Sequence, residues 1–177
     1  MSRLKKGRGI ILRKLISKPG DVGLVVYSKE MGKIFLLAKG AQKIAGRRLS
    51  ATDSLNIIDF LYSERENFKY MHEASIVSVL ESIKPTYGKR QKLLMVLEMV
   101  DKLSPIEQKD EAVYAFVVSF LQKLVSGDLL KEEFIVQMEA LINCFGYSWP
   151  KNFTKTWPEL GRAMETLTER RIYAYEL

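Results

Sequence analysis

The sequence has few of the residues that bind metals or form disulfides. It holds one cysteine, Cys144, and one histidine, His72, among 177 residues. One cysteine cannot form an internal disulfide, and one cysteine with one histidine cannot supply the four ligands of a structural zinc site. We therefore expect no metal and no other cofactor. The chain also contains no run of about 18 apolar residues, which argues against a membrane-spanning helix.

Catalytic motifs and a clear leader segment are missing as well. The sequence contains no Walker loop, no Gly-x-Ser-x-Gly element and no paired-carboxylate metal motif. A lone histidine such as His72 is more often a structural or surface residue than a catalytic base. We expect a binding protein rather than an enzyme. Arg13 and Lys14 interrupt the first apolar run, which is a poor match to a signal peptide and favours a cytoplasmic protein.

Acidic residues are scarce at the N-terminus. Residues 1–50 hold thirteen Lys or Arg but only Asp21 and Glu30, a net charge of +11, whereas residues 51–177 carry a net charge of −4. So concentrated a positive charge repels itself unless a counter-charge is bound, and the common polyanions are nucleic acids and anionic membranes. Because the segment has no basic amphipathic helix, the membrane is the weaker alternative.

The first 80 residues are predicted to form strands. Apolar, β-branched and aromatic residues occur there in short runs separated by turn signals. Gly32 provides the positive φ of a tight hairpin, so the second and third strands should pair antiparallel. Five short strands favour a small closed barrel of the oligonucleotide/oligosaccharide-binding (OB) type. The predicted strands span residues 8–17, 22–29, 32–40, 54–63 and 68–77. Residues 41–52 are expected to form a long basic loop, and residues 3–8 a flexible arm.

After residue 80 the apolar period becomes helical. Three apolar stripes predict three amphipathic helices, followed by a short helix near residues 159–169. The stripes run through Leu93–Leu103, Val113–Leu124 and Phe134–Phe145, and Pro105, Gly127 and Gly146 follow them at expected helix ends. The predicted fold class is α+β, with an OB domain at residues 1–80 and a helical bundle at residues 81–177.

Eight residues of the predicted barrel are candidates for binding nucleic acid. Lys and Arg contact phosphates without reading sequence, and an exposed aromatic ring stacks on a base. The period of two places Lys33, Phe35, Leu37 and Lys39 on one face of the third strand, where Phe35 is the best exposed ring. Of the five strand aromatics, Tyr27, Phe35, Tyr62, Phe68 and Tyr70, at least half should be core. The candidates are Arg13, Lys14, Lys33, Phe35, Lys39, Lys43, Arg47 and Arg48.

Several short motifs occur in an order that indicates a known family. They are Gly9–Arg13, Gly32–Lys33, Leu37–Ala41, Arg47–Leu49, Phe145–Tyr147 with Pro150, and Glu169–Arg171. In order and spacing they resemble the RecO family of bacterial DNA recombination mediators. Family members commonly carry a four-cysteine zinc module after the Gly-Tyr-x-Pro element. Here about 27 residues without cysteine follow that element, so the resemblance is to a short, zinc-free relative.

The resemblance implies a function in DNA repair and recombination after DNA damage. The family anneals complementary strands and, with a RecR-type partner, helps a recombinase replace single-stranded-DNA-binding protein at the nucleoid. Its helical part docks the acidic tail of single-stranded-DNA-binding protein, which makes Lys84, Lys89, Arg90 and Lys92 docking candidates. These cations lie at the start of the first long helix, where they oppose the helix dipole. The alternative to a docking patch is that they are simply solvated.

Two other functions remain open at this point. One is a protein-interaction module whose basic face docks acidic protein tails. The other is an RNA-binding protein, because nothing in the sequence distinguishes a reader of the 2′-hydroxyl. For the preferred function, we expect binding to single-stranded DNA without sequence preference, with double-stranded DNA as a further ligand.

Overall fold

The computed structural model describes residues 3–16, 21–39, 56–78 and 86–175. The chain divides into two compact units. One unit contains the described residues up to 78 together with Pro105–Asp110, and the other contains the described residues from 86 to Ser104 and from Glu111 onward. The segment Pro105–Asp110 therefore packs with the first unit although it lies far along the chain.

The N-terminal unit is a closed barrel of five strands. The strands are β1 (Lys5–Ile16), β2 (Val22–Ser28), β3 (Gly32–Ala38), β4 (Ile57–Arg65) and β5 (Phe68–Ser78). Their order around the barrel is β1-β2-β3-β5-β4, and β4 pairs back to β1. Only the β3–β5 pair is parallel. The predicted five-stranded OB-type barrel and the antiparallel pairing of β2 with β3 are both confirmed.

Alternation along the strands separates the core from the outer surface. On β3, Ile34, Leu36 and Ala38 are buried, whereas Phe35 is exposed. Strands β1 to β4 contribute buried residues to one apolar cluster, and Met71 and Ala74 of β5 pack against it. Burying each aliphatic side chain stabilises the barrel by about 1.5–3 kcal/mol. A slip of one residue would turn these side chains outward, so the cluster fixes the register. Its buried members are Ile11, Val22, Leu24, Val26, Ile34, Leu36, Ala38, Ile58, Phe60 and Tyr62.

Strand β1 pairs with two neighbouring strands. It pairs with β4 from Lys5 to Ile10 and with β2 from Gly9 to Ile16, and the β2 register shifts between Ile11 and Arg13. The expected flexible arm at residues 3–8 is therefore wrong, because the backbone from Lys5 is held by a strand more than fifty residues away. Gly7 allows this close approach, since a Cβ there would lie 2.5 Å from the ring of Phe60.

The segment Pro105–Asp110 lies against the start of β3. One parallel bridge joins it to Lys33, and the backbone N–H of Glu107 donates to the Lys33 carbonyl at 2.8 Å. Gly32 makes room for the segment: its φ is +70°, and a Cβ there would lie 1.8 Å from the carbonyl oxygen of Gln108. A glycine is therefore required at this position by both its backbone conformation and the close approach.

An ion pair supports the same segment. The side chain of Lys69 on β5 is only 9% exposed and pairs with Glu107, while Glu64 lies 3.7 Å from the same ammonium group. A buried ammonium group needs such partners because isolated burial of a charge is costly. Lys69 therefore serves the barrel and is not available to a ligand.

The second unit is helical. It contains α1 (Tyr87–Leu103), α2 (Glu111–Ser126), α3 (Lys131–Cys144), α4 (Trp157–Thr168) and a short 3₁₀ turn (Tyr173–Tyr175). The predicted stripes form its buried faces, and an aromatic series runs Phe116, Phe120, Phe134 and Trp157 with ring centroids 5.8–6.2 Å apart. The predicted helical part is confirmed. Within the described ranges, no helix is long and apolar enough to cross a membrane.

Candidate nucleic-acid interface

The register of the barrel aligns outward-facing residues of neighbouring strands in two rows. The first row is Arg13 on β1, Val25 on β2 and Phe35 on β3, and the second is Leu15, Gly23, Leu37 and, on β5, Tyr70. Extending the parallel β3–β5 register by one residue brings Phe68 into the first row. With strands about 4.8 Å apart, a row of four spans about 14 Å. Arg13, Phe35, Phe68 and Tyr70 thus lie on one side of the barrel wall.

Aromatic rings are accessible on this surface. Phe35 is 39% exposed and Phe68 is 51% exposed. The rings of Phe68 and Tyr70 lie 6.4 Å apart, and the ring of Phe35 lies over Gly23, where a Cβ would approach it to 2.8 Å. Exposed rings of this kind can stack on bases for about 1–3 kcal/mol each.

Two other strand aromatics are excluded from stacking. Tyr27 is 1% exposed and Tyr62 is 4% exposed, and burial raises the pKa of the Tyr62 phenol. The expectation that at least half of the five strand aromatics are core is therefore wrong, because two of the five are buried, whereas Phe35 and Phe68 are exposed and Tyr70 is partly exposed.

Cationic side chains border the exposed rings. The Lys39 ammonium lies 4.8 Å from the centroid of the Tyr70 ring, and Arg65 pairs with Phe68 across the β4–β5 hairpin. Lys33 lies two residues before Phe35 on the same side of β3, as the alternation predicts. We call Lys33, Phe35, Lys39, Arg65, Phe68 and Tyr70 the aromatic face.

The aromatic face ends in a cleft of about 490 Å³. Lys39, Arg65 and Tyr70 line it together with Ser63 and His72, whose Oγ and Nε2 atoms lie 2.8 Å apart in a hydrogen bond. Glu66 also lines the cleft, so the cleft contains two cations, one carboxylate, an aromatic ring and polar side chains. The cations and the ring are groups that contact phosphates and bases.

Not every predicted residue belongs to this surface. Lys14 pairs with Leu24, which points into the core, so Lys14 lies on the side of β1 opposite to Arg13. The structure therefore separates Lys14 from the other candidates. Lys43, Arg47 and Arg48 lie outside the described residues, and their participation stays a prediction.

Two further cations of the N-terminal segment are bound by carboxylates. Lys5 pairs with Glu64 at 2.5 Å, and the Arg8 guanidinium donates to both oxygens of Asp59 at 2.6 and 2.8 Å. The hydrogen bond from Arg8 holds the pKa of Asp59 below its ordinary value, and the hydrogen bond from Lys5 does the same for the pKa of Glu64. The +11 charge of the segment is therefore not all available to a polyanion.

The docking candidates of the helical unit differ in their exposure. Lys92 is 6% exposed, donates to Asp128 Oδ1 at 2.9 Å and also donates to the Leu129 carbonyl. Lys92 is thus a buried structural residue and not a surface cation. Lys89 donates to the Leu124 carbonyl at 3.1 Å, Arg90 is exposed, and Lys84 lies outside the described residues.

Sequence reasoning did not select Arg65, Phe68 and Tyr70 as site residues. They are brought to the face by the β4–β5 hairpin, whose two turn residues, Glu66 and Asn67, have φ of 50° and 65°. Two positive φ values are typical of a type I′ turn, in which Asn is favoured. Asn67 before an aromatic strand was the available signal. In the part of the chain that the structure describes, no group of His, Cys, Asp and Glu could hold a metal ion.

Comparison with known proteins gives matches to one family. Residues 1–80 match the family model described as "Recombination protein O N terminal". The chain is 24% identical over 115 residues to DNA repair protein RecO of Thermoanaerobacter sp., a match that covers 65% of this chain and 46% of that protein. It is 25% identical over 142 residues to the protein of the same name from Pelotomaculum thermopropionicum, covering 79% and 56%. The Koribacter versatilis protein is 26% identical over 126 residues, covering 70% and 52%. The chain spans about half the length of these curated relatives.

Proposed function

We propose, since this chain is a relative of the RecO recombination proteins, that its barrel binds single-stranded DNA without sequence preference. The observation that carries the proposal is the aromatic face, in which exposed rings on β3 and β5 are bordered by Lys39 and Arg65. Rings stack on bases of any identity, and cations contact phosphates that carry no sequence information. The expected binding is therefore tight at low salt and indifferent to sequence.

The proposed biological role is recombinational repair without a catalytic step. A cationic surface that binds phosphate backbones lowers the repulsion between two strands, and this speeds their annealing. By the family relationship, we also propose that the protein works with a RecR-type partner and with single-stranded-DNA-binding protein to load a recombinase. Binding to double-stranded DNA would use the same cations but not the rings, because paired bases are already stacked.

A salt titration tests the proposed binding. If Arg13, Lys33, Lys39 and Arg65 each neutralise one phosphate, the logarithm of the affinity for a single-stranded oligonucleotide should fall with the logarithm of salt with a slope of about −2.8. Fluorescence anisotropy of a labelled oligonucleotide measures this slope. An affinity that does not change with salt, or no binding at low salt, would contradict the proposal.

Variants show whether the aromatic face is responsible. Lys39→Glu with Arg65→Glu should weaken binding at least tenfold and reduce the slope by about 1.4, because two phosphate contacts are lost. The matched control is Lys6→Glu with Lys29→Glu, which makes the same charge change at a cleft lined by other residues. If the control weakens binding as much as the face variant, general charge and not the aromatic face determines affinity. A titration with RNA of the same sequence decides the RNA-binding alternative.

Docking of an acidic protein tail is a second candidate function, now for the helical unit. Exposed apolar side chains surround the start of α1 and the end of α2: Tyr87 is 71%, Val125 50% and Leu130 67% exposed. The bond from Lys89 to the Leu124 carbonyl brings these two helix ends together, and Arg90 is exposed beside them. An acidic peptide that also carries apolar residues fits this combination of groups.

A peptide titration tests the docking proposal. An acidic peptide that also carries apolar residues should bind the full chain, and Arg90→Glu should reduce this binding while leaving oligonucleotide affinity unchanged. A scrambled peptide of equal charge is the control. Equal binding of both peptides would mean that charge alone attracts them.

A further inference from the structure

Another exposed aromatic residue, Tyr173, lies in a segment of the helical unit whose backbone is held by hydrogen bonds. Tyr173 is 66% exposed, although its neighbours Ile172 and Ala174 are buried. The backbone N–H groups of Tyr173 and Ala174 donate to the two carboxylate oxygens of Glu98 at 3.1 and 2.8 Å. The N–H of Ile172 donates to Glu165 at 3.0 Å. The segment after α4 is thus fixed to α1 and α4, and the ring is presented to solvent from a rigid backbone.

Cations surround this ring. The Lys102 ammonium lies 5.7 Å and the Arg171 guanidinium carbon 5.9 Å from the ring centroid of Tyr173. Lys102 is held in place by Glu98 at 2.7 Å and by the Arg171 carbonyl, and Arg170 and Arg171 are both exposed. Because Lys102 and Glu98 balance each other's charge, the net positive charge beside the ring comes from Arg170 and Arg171.

We propose that Arg170, Arg171 and Tyr173, supported by Lys102, form a second contact site for single-stranded nucleic acid. Tyr173 stacks on a base, and the two arginines contact the adjacent phosphates. Because the backbone that carries the ring is already held by hydrogen bonds, little backbone freedom is lost when the strand binds. An acidic peptide would use the cations but would gain little from a fixed flat ring, whereas a nucleotide uses both.

This site goes beyond the function of the barrel. With the aromatic face it gives one chain two separate contacts, so that a single molecule can hold two strands. The effective concentration of the second strand near the first is then raised without any new chemistry. The tail site is nonetheless defined by its own residues and can be tested by itself.

Photo-crosslinking with the full chain tests the site directly. A single-stranded oligonucleotide that contains bromodeoxyuridine is irradiated with the protein, and the crosslinked peptides are mapped by mass spectrometry. We expect a crosslink at Tyr173 that disappears in Tyr173→Leu. Crosslinks on the barrel without one at Tyr173 would overturn the tail site and leave the proposed function standing. A crosslink at Tyr173 without any on the barrel would support the tail site and overturn the proposed binding by the barrel.

Affinity measurements give a second, independent readout. The two arginine contacts add about 1.4 to the magnitude of the barrel's slope of about −2.8, so the wild-type slope becomes about −4.2, and Arg170→Glu with Arg171→Glu should return it to about −2.8. Tyr173→Leu should weaken binding about fivefold or more. Tyr173→Phe keeps the ring and should bind like the wild type, which a purely structural role of the hydroxyl would not allow. The charge control is Lys151→Glu with Arg162→Glu, two exposed cations of the same unit. Equal losses in the control and in the arginine variant would overturn the site.

Discussion

Replacement of Gly32 by alanine tests how the segment Pro105–Asp110 is held on the barrel. Gly32 has φ of +70°, and its Cβ would lie 1.8 Å from the Gln108 carbonyl oxygen. An ordinary van der Waals contact needs about 3.4 Å, so the carbonyl must move by about 1.6 Å. The variant therefore strains its own backbone and also displaces the segment.

Three contributions set the size of the effect. An alanine at positive φ costs about 1 kcal/mol. Moving the segment breaks the backbone hydrogen bond from Glu107 to Lys33, which is worth about 1 kcal/mol. It also separates Glu107 from the largely buried Lys69. We count this loss as about 1–2 kcal/mol because Glu107 is itself 56% exposed. We expect Gly32→Ala to lower the free energy of unfolding of the barrel unit by about 3–4 kcal/mol.

Urea unfolding measures this free energy, and hydrogen exchange of peptides from β2 and β3 serves as the readout for the barrel unit. Gly127→Ala is the matched control, since no atom lies within 4 Å of a Cβ there and its φ is not positive. The control should change the free energy of unfolding by less than about 1 kcal/mol. A Gly32→Ala loss no larger than that of the control would refute the described packing of the segment.

Two other predictions concern buried or paired charges. Arg8 lowers the pKa of Asp59 in the folded protein. Their ion pair therefore stabilises the fold above the ordinary carboxyl pKa, and this stabilisation is lost as the pH falls through the lowered pKa of Asp59. The difference in Tm between wild type and Arg8→Met should therefore shrink below roughly pH 4. A constant difference from pH 7 to pH 3 would contradict the ion pair. Lys92→Met keeps the aliphatic packing but removes the bonds to Asp128 and Leu129, and should destabilise the helical unit by about 1–3 kcal/mol. Tryptophan fluorescence during urea unfolding measures this loss, and a stable variant would mean that Lys92 is not the structural residue described.

The strands and helices could be predicted because each is determined by local patterns. On β3, the alternation of Ile34, Leu36 and Ala38 with Phe35 is a period of two, which depends only on neighbouring residues. The helical stripes depend equally on local spacing. The same local reasoning placed Lys33, Phe35 and Lys39 on one side of their strand.

Contacts between distant parts of the chain could not be predicted in this way. Lys92 was expected on the surface because Asp128, its partner, lies 36 residues later. The start of β1 was expected to be mobile because the pairing of Lys5 with β4 is invisible in local sequence. Arg65 reaches the aromatic face only through a turn whose signal, Asn67, is weak by itself.

The central claim is that exposed rings and cations of the aromatic face bind single-stranded DNA together. The most direct measurement is the salt dependence of oligonucleotide affinity for the wild type, for Phe35→Ala with Phe68→Ala, and for Lys39→Glu with Arg65→Glu. We predict that the ring variant weakens binding with an unchanged slope, whereas the charge variant weakens binding and reduces the magnitude of the slope by about 1.4. Wild-type affinity and slope in both variants would contradict the claim.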